Sequence, residues 1–114
     1  VLRVCKSIVP LMSNGGRIIN ISSGMGQLEE MESGSTAYRL SKTSLNALTK
    51  ILSNELSPLG IKVNTICPGW VRTDMGGENA TLSIEKSTTQ IVDFALKDDF
   101  PSGQFLRHGE IIPW

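Results

Sequence analysis

The sequence has few of the residues that build metal centres and strongly charged binding surfaces. It contains only two cysteines and one histidine, and eleven basic residues balance eleven acidic ones. Cys5 and Cys67 lie in apolar segments without a second ligand at metal-binding spacing, so we expect two buried free thiols and no metal site. Because the charges balance, no general field attracts phosphate backbones or anionic membrane surfaces. We therefore expect neither nucleic acid nor membrane as a partner.

Long apolar runs are also missing. No stretch approaches the ~20 residues that a bilayer-spanning helix needs, and the first residues lack the pattern of a signal peptide. We therefore expect a soluble, cytoplasmic protein. The 114 residues predict one small domain with one core. The chain enters at Val1 without an initiator Met or a helix cap, which predicts that it belongs to something longer.

Helical and extended patterns alternate along the chain and predict an α/β fold with right-handed crossovers. An apolar helix ends before Gly16, and strands are predicted over residues 17–21, 61–67 and 104–106. A long amphipathic helix begins near Ser35 and closes at Pro58, and another is capped by Ser83. We expect the apolar stripe of the long helix to face the core: it comprises Ala37, Leu40, Leu45, Leu48, Ile51, Leu52 and Leu56. About three strands in a parallel sheet follow from this order.

Residues 24–34 are rich in glycine, methionine and acids, and they predict a loop. The Gly24-Met25-Gly26 segment follows a strand, but no helix starts directly after it, and its acids would repel a pyrophosphate. We interpret these acids as a solvated loop, with a role at a substrate entrance as the alternative: they are Glu29, Glu30 and Glu32. The single histidine, His108, precedes a glycine and predicts a turn.

Three polar groups are expected at one edge of the sheet. In a parallel α/β sheet, ligands bind outside the carboxyl ends of the strands. Ser22 and Ser23 follow the first strand, residues 68–73 follow the second, and Tyr38 lies near the start of the helix between them. A helix that runs back along the sheet starts at that same edge. These residues are therefore predicted to face one cleft.

Tyr38 and Lys42 have the spacing i, i+4, which places both on one face of a helix. The unperturbed pKa of a tyrosine is near 10, too high for easy proton exchange at neutral pH. A fixed positive charge at ~4 Å would stabilise the phenolate by roughly 4 kcal/mol at an effective dielectric constant of about 20. Desolvation of both groups opposes this effect. The pair on its own fits an ordinary amphipathic helix as well as an acid–base centre.

The order of motifs resembles the short-chain dehydrogenase/reductase family. Gly-Arg-Ile-Ile-Asn-Ile-Ser-Ser begins at Gly16, Tyr-x-x-x-Lys follows at Tyr38, and Asn-Thr-Ile-Cys-Pro-Gly-Trp-Val-Arg-Thr begins at Asn64. The segment from Pro68 onward looks most like the carbonyl reductases. The resemblance implies that residues 1–114 are a single partial domain, the C-terminal catalytic part of a Rossmann-like doubly wound parallel sheet. The chain has no glycine-rich dinucleotide fingerprint, so the resemblance leads us to expect that the N-terminal dinucleotide-binding half is missing.

The resemblance also implies site residues. Tyr38 matches the catalytic proton donor, Lys42 the lysine that holds the nicotinamide ribose, and Ser23 the serine that hydrogen-bonds the substrate carbonyl. Ser22 more simply braces the loop. The residues that match the segment around the nicotinamide are Pro68, Gly69, Val71 and Thr73. Trp70 and Met75 either line the substrate pocket or pack under the loop.

The implied reaction is the reduction of a ketone or aldehyde by hydride transfer from a nicotinamide cofactor. NADP is expected from the carbonyl reductases, and NAD is possible because the selecting residues lie outside this chain. The expected partner is a small-molecule carbonyl substrate, and the full-length form is expected to be a homo-oligomer or a monomer. The alternative is a truncated, non-catalytic paralogue that acts through protein–protein pairing.

Overall fold

The computed structural model describes all residues 1–114. Its helices and strands follow in the order α1 (Leu2–Ile8), β1 (Arg17–Ile21), α2 (Thr36–Glu55), β2 (Lys62–Cys67), α3 (Ile84–Leu96), β3 (Phe105–Arg107) and β4 (Glu110–Ile112). Short 3-10 turns lie at Val9–Leu11, Gly24–Gly26 and Ser57–Leu59. The predicted alternation of helices and strands is confirmed. None of the helices combines the length and the apolar character that crossing a bilayer requires.

The strands form one sheet in the order β1-β2-β3-β4. β1 pairs parallel with β2, and β2 pairs parallel with β3. β4 was not predicted as a strand and pairs antiparallel with β3. His108 and Gly109 join the two strands with φ angles of 55° and 84°, which suit a two-residue hairpin. The predicted turn at His108 is thus present, and it folds the last residues back onto the sheet.

Helices cover both faces of the sheet. On one face, α1 and α2 contribute to a buried apolar cluster with β2: it comprises Cys5, Leu52, Leu56, Ile61 and Val63. On the other face, α3 closes a second cluster: it comprises Ile66, Phe94, Phe100 and Leu106. A single core was expected, but the sheet lies between two. Because β2 is covered on both sides, its side chains from Val63 to Cys67 are all buried.

The buried face of α2 is more polar than the sequence predicted. Leu40 and Ile51 are 60% and 51% exposed, so the expected stripe does not lie entirely against the core. Thr49 is fully buried instead, and its hydroxyl oxygen accepts a hydrogen bond from the side-chain amide of Asn20 at 2.8 Å. Buried polar groups are tolerated when they are paired in this way. Small polar residues therefore bring α2 close to β1 and to the loop that follows it.

Candidate active site

A cavity of about 1220 Å³ opens where β1 and β2 end. All predicted site residues except Lys42 line it: they are Ser23, Tyr38, Pro68, Gly69, Trp70, Val71, Thr73 and Met75. The carboxyl edge of the sheet therefore brings together the residues that were expected there. Trp70 and Met75 are 53% and 85% exposed, so both border the opening and neither is packed beneath the loop.

Lys42 is not among the residues that line the cavity, and it follows Tyr38 by one helical turn on α2. Its ammonium nitrogen is 5.7 Å from the centroid of the Tyr38 ring. The same nitrogen donates a hydrogen bond of 3.0 Å to the backbone carbonyl oxygen of Ile21 at the end of β1. The predicted pair is therefore on one face of α2, and the lysine is oriented by the sheet itself.

The two serines after β1 have different surroundings. Ser23 lines the cavity, and its hydroxyl oxygen accepts a hydrogen bond from the backbone N–H of Met25 at 3.2 Å. The buried Ser22 also reaches the cavity wall, but its hydroxyl donates to the backbone carbonyl oxygen of Lys42 at 3.3 Å. Ser22 braces the loop against α2, as expected. The Ser23 hydroxyl can still donate to a ligand because it only accepts within the chain.

The 3-10 turn after Ser23 is seated directly on α2. The carbonyl oxygen of Gly26 accepts hydrogen bonds from the side chains of Thr43 at 3.0 Å and Asn46 at 3.1 Å. A Cβ atom on Gly26 would lie 2.7 Å from the backbone carbonyl carbon of Lys42. Only glycine permits this approach. The turn thus fixes Ser23 relative to the helix that carries Tyr38 and Lys42.

The segment after β2 forms another wall of the cavity. The Pro68 carbonyl oxygen accepts a hydrogen bond of 2.8 Å from the buried Ser87 hydroxyl on α3, and Gly69 turns the chain with a φ of 81°. The backbone N–H groups of Val71 and Thr73 donate to no acceptor within the chain. They can therefore bind a polar ligand group, such as the oxygen of a carboxamide.

Several lining residues were not predicted from the sequence: they include Cys67, Ile84, Ser87, Ile91, Arg107 and His108. Cys67 was correctly expected to be a buried free thiol, but its sulfur also accepts a hydrogen bond from the Gly24 N–H at 3.0 Å. The helical spacing of Ile84, Ser87 and Ile91 was a usable signal, because it places them on one face of α3. No local signal identified Arg107, since β3 was predicted to end before it.

Arg107 is joined to the acidic loop by two parallel hydrogen bonds. Its Nη1 and Nη2 atoms lie 3.2 Å and 3.3 Å from the two carboxylate oxygens of Glu30. The hydrogen bond to Glu30 raises the pKa of Arg107 above its ordinary value, which keeps the guanidinium charged. Glu30 is therefore a partner of a cavity residue, in addition to being a solvated loop acid.

This geometry suits acid–base chemistry on a polar group that enters the cavity. Tyr38 presents a hydroxyl, Ser23 presents a second one, and the Lys42 charge lies beside the tyrosine. A carbonyl oxygen needs such a hydrogen-bond donor and a proton source when it is reduced.

The chain matches a family model described as "Enoyl-(Acyl carrier protein) reductase" over residues 1–94. It is 34% identical to C-signal of Myxococcus xanthus over 119 residues, which cover 99% of this chain and 71% of that protein. It is 32% identical to carbonyl reductase [NADPH] 1 of Oryctolagus cuniculus, covering 97% of this chain and 57% of that protein. The chain therefore spans little more than half the length of the rabbit relative.

A solved structure shows the same arrangement of elements. Carbonyl reductase Sniffer of D. melanogaster superposes with a TM-score of 0.88 at 35% identity, covering 97% of this chain and 51% of that structure. The expected part of a Rossmann-like α/β fold is thereby confirmed. The family model matches most of the chain, and the identity to C-signal extends over nearly all of it. The chain belongs to the short-chain dehydrogenase/reductase family of oxidoreductases and is carbonyl reductase-like.

Proposed function

We propose that the protein containing this chain reduces a ketone or an aldehyde with NADPH, and that Tyr38 donates the proton. The observation that carries this proposal is the convergence on one cavity of Tyr38, Ser23 and the Pro68–Thr73 segment, with the Lys42 ammonium beside the tyrosine ring. The comparisons support the reaction class, because two of the similar proteins are named as carbonyl reductases.

Tyr38 and Lys42 divide the proton chemistry between them. The Tyr38 hydroxyl gives its proton to the carbonyl oxygen as that oxygen gains negative charge, and the Lys42 ammonium stabilises the tyrosinate left behind. The structure provides no acidic side chain as an ion-pair partner for Lys42. No nearby carboxylate therefore cancels its charge beside the tyrosine. Its fixed position lowers the reorganisation that proton transfer would otherwise need.

Ser23 orients the substrate. Its hydroxyl oxygen accepts from the Met25 N–H and donates to no acceptor within the chain, so its hydrogen is available to a ligand oxygen. A donor held next to the carbonyl oxygen stabilises that oxygen most when it becomes negative.

The cavity residues fit a nicotinamide cofactor. The lining contains no aspartate, glutamate or lysine, and the free N–H groups of Val71 and Thr73 suit a carboxamide. Pro68 and Gly69 shape this wall, while Lys42 is the residue for the ribose hydroxyls. NADPH, when bound, supplies the hydride. The name of the rabbit relative supports NADPH over NADH.

Tyr38→Phe tests the proposal in protein expressed from the complete coding sequence. The ring and its packing remain, but the proton donor is lost, so turnover should fall at least about 100-fold. NADPH oxidation with a simple aromatic aldehyde measures it by absorbance. Turnover close to that of the unmodified enzyme would remove Tyr38 from the mechanism.

A second candidate is the truncated paralogue that acts by pairing. The exposed apolar residues of α1 favour it: they include Leu2, Val4 and Ile8. The coding sequence upstream of Val1 separates the two functions, since an in-frame glycine-rich fingerprint supports the enzyme and a nearby start codon supports the paralogue. Micromolar binding of NADPH to a chain that starts at Val1 would contradict the hypothesis of a truncated, non-catalytic paralogue.

A further inference from the structure

Arg107 is the only residue with a permanent charge among those that line the cavity. The remaining wall is apolar or neutral, with Trp70, Val71, Ile84 and Ile91 on the side of α3 and the loop before it. An unpaired arginine in such a wall would attract any substrate bearing a carboxylate. The selectivity of the site for charged substrates therefore depends on the state of this guanidinium.

The guanidinium lies close to the residues that act on the carbonyl group. A Cβ atom on Gly24 would be 3.2 Å from Arg107 Nη1 and 3.8 Å from the sulfur of Cys67. Gly24 directly follows Ser23, so the positive charge lies over the turn that begins at the proposed carbonyl-binding serine. A substrate held by Ser23 would have this charge within reach of its substituents.

The carboxylate of Glu30 binds the guanidinium of Arg107. Both carboxylate oxygens are engaged, at 3.2 Å and 3.3 Å, and this fork-to-fork geometry uses two of the five arginine donors. The loop that carries Glu30 is itself held, because Glu32 pairs with the buried Arg39 and the Glu29 N–H donates to the Trp114 carbonyl oxygen. A tethered carboxylate has a high effective concentration, so a substrate carboxylate competes poorly with it.

We propose that Glu30 determines charge selectivity: by neutralising Arg107, it makes the cavity accept uncharged carbonyl compounds and disfavour those bearing a carboxylate. This inference rests on the proposed carbonyl reduction and concerns the same cavity. It assigns Glu30 and Arg107 as specificity residues without a part in proton transfer. The Glu30 side chain is 56% exposed, and an exposed ion pair adds little to stability. A variant without the Glu30 carboxylate should therefore still fold.

The test compares two substrates of nearly equal shape, 4-formylbenzoate and its methyl ester, in protein from the complete coding sequence. The measured quantity is the ratio of kcat/KM for the acid to kcat/KM for the ester. Glu30→Gln keeps the side-chain shape and releases the guanidinium, so this ratio should rise about tenfold, the gain expected from one charge-assisted contact at a partly exposed site. Glu30→Gln combined with Arg107→Gln should return the ratio to its original value.

Glu29→Gln is the matched control, because Glu29 lies in the same loop and its side chain forms no ion pair. Its ratio should not change. Arg107→Gln alone provides a second measurement: it leaves the Glu30 carboxylate unpaired at the opening, so the ratio should fall. The inference would be overturned if Glu30→Gln left the ratio of kcat/KM unchanged, or if it slowed the reduction of the acid and the ester equally. Glu30 would then only stabilise the loop. If the unmodified enzyme reduces neither aldehyde, the proposed function fails instead.

Discussion

The ammonium group of Lys42 donates its hydrogen bond to the backbone carbonyl oxygen of Ile21, 3.0 Å away at the end of β1, and pairs with no carboxylate. A neutral acceptor orients the lysine without cancelling its charge. The sheet thus places an uncompensated positive charge one helical turn from Tyr38. The backbone carbonyl at the carboxyl end of β1 orients Lys42 in place of a side-chain partner.

Lys42→Met should lower turnover about 100-fold or more, because the tyrosinate loses its nearby positive charge while the apolar stem of the side chain is kept. The Ile21 carbonyl would then bond to water, since Ile21 is 44% exposed, and stability should change little. Lys6→Met on α1 is the control, because Lys6 makes no side-chain hydrogen bond or ion pair and should leave turnover intact. Steady-state kinetics of carbonyl reduction and thermal unfolding measure the two effects. Unimpaired turnover in Lys42→Met would show that the charge is dispensable.

Ser22 and Ser23 are adjacent, but alanine at Ser23 should lower turnover, whereas alanine at Ser22 should lower stability. Ser23→Ala removes the hydroxyl that faces the cavity, and turnover should fall about 100-fold, as expected for the loss of one donor to a developing oxyanion. Ser22→Ala removes a buried hydrogen bond to Lys42 and should lower the free energy of unfolding by about 1 kcal/mol with turnover nearly unchanged. Denaturant titration and kinetics on the same preparations separate the two. If Ser22→Ala loses turnover and Ser23→Ala does not, the assignment of the two hydroxyls is reversed.

Gly69 combines a left-handed backbone conformation with close packing. Alanine at Gly69 should therefore destabilise the protein more than alanine at Gly109. Both glycines have positive φ, 81° and 84°. A Cβ atom on Gly69 would lie 2.5 Å from a methyl carbon of Leu82, whereas on Gly109 it would meet nothing within 4 Å. Gly69→Ala should therefore destabilise the protein by about 1–3 kcal/mol more than Gly109→Ala, because only the former adds overpacking to backbone strain. Equal losses in denaturant unfolding would mean that Leu82 moves aside freely.

The sequence was sufficient to predict the parts of the site that local patterns encode. The β-branched run before Ser22, the helical spacing of Tyr38 and Lys42, and the strand before Pro68 each predict an element, and parallel pairing brings their ends together. β4 was missed because its two apolar residues, Ile111 and Ile112, are followed directly by Pro113, and its extended structure depends on antiparallel pairing with β3. The polar face of α2 was also missed, since the hydrogen bond that makes Thr49 acceptable in the core comes from Asn20, twenty-nine positions away.

The pairing of Arg107 with Glu30 shows the same limit at the site itself. The two residues are seventy-seven positions apart, and neither belongs to a motif that singles out the other. A role at a substrate entrance was the alternative interpretation of the acidic loop, but the arginine that the loop contacts depends on the register of β3 beside β2. Long-range register is a property of the assembled sheet, so no local pattern could predict this contact.

Gly26 provides the most direct test of how the loop and the helix are held together. Its position in Gly24-Met25-Gly26 was interpreted only as part of a loop, yet a Cβ atom there would lie 2.7 Å from the backbone carbonyl carbon of Lys42 and 2.9 Å from the Thr43 nitrogen. Backbone atoms of a helix cannot move aside as a side chain can, so Gly26→Ala must displace the turn itself. We expect about 1–3 kcal/mol of destabilisation.

The displacement should also lower turnover, because the turn begins at Ser23 and packs against the helix that carries Tyr38. Turnover in Gly26→Ala should therefore fall well beyond what partial unfolding explains, when both are measured at a temperature where the variant is folded by circular dichroism. Gly34→Ala is the matched control: Gly34 closes the same loop with a φ of 81°, and its Cβ would meet nothing within 4 Å, so it should lose some stability and keep its turnover. Normal turnover in a folded Gly26→Ala protein would show that the distance between Ser23 and Tyr38 tolerates a shifted turn.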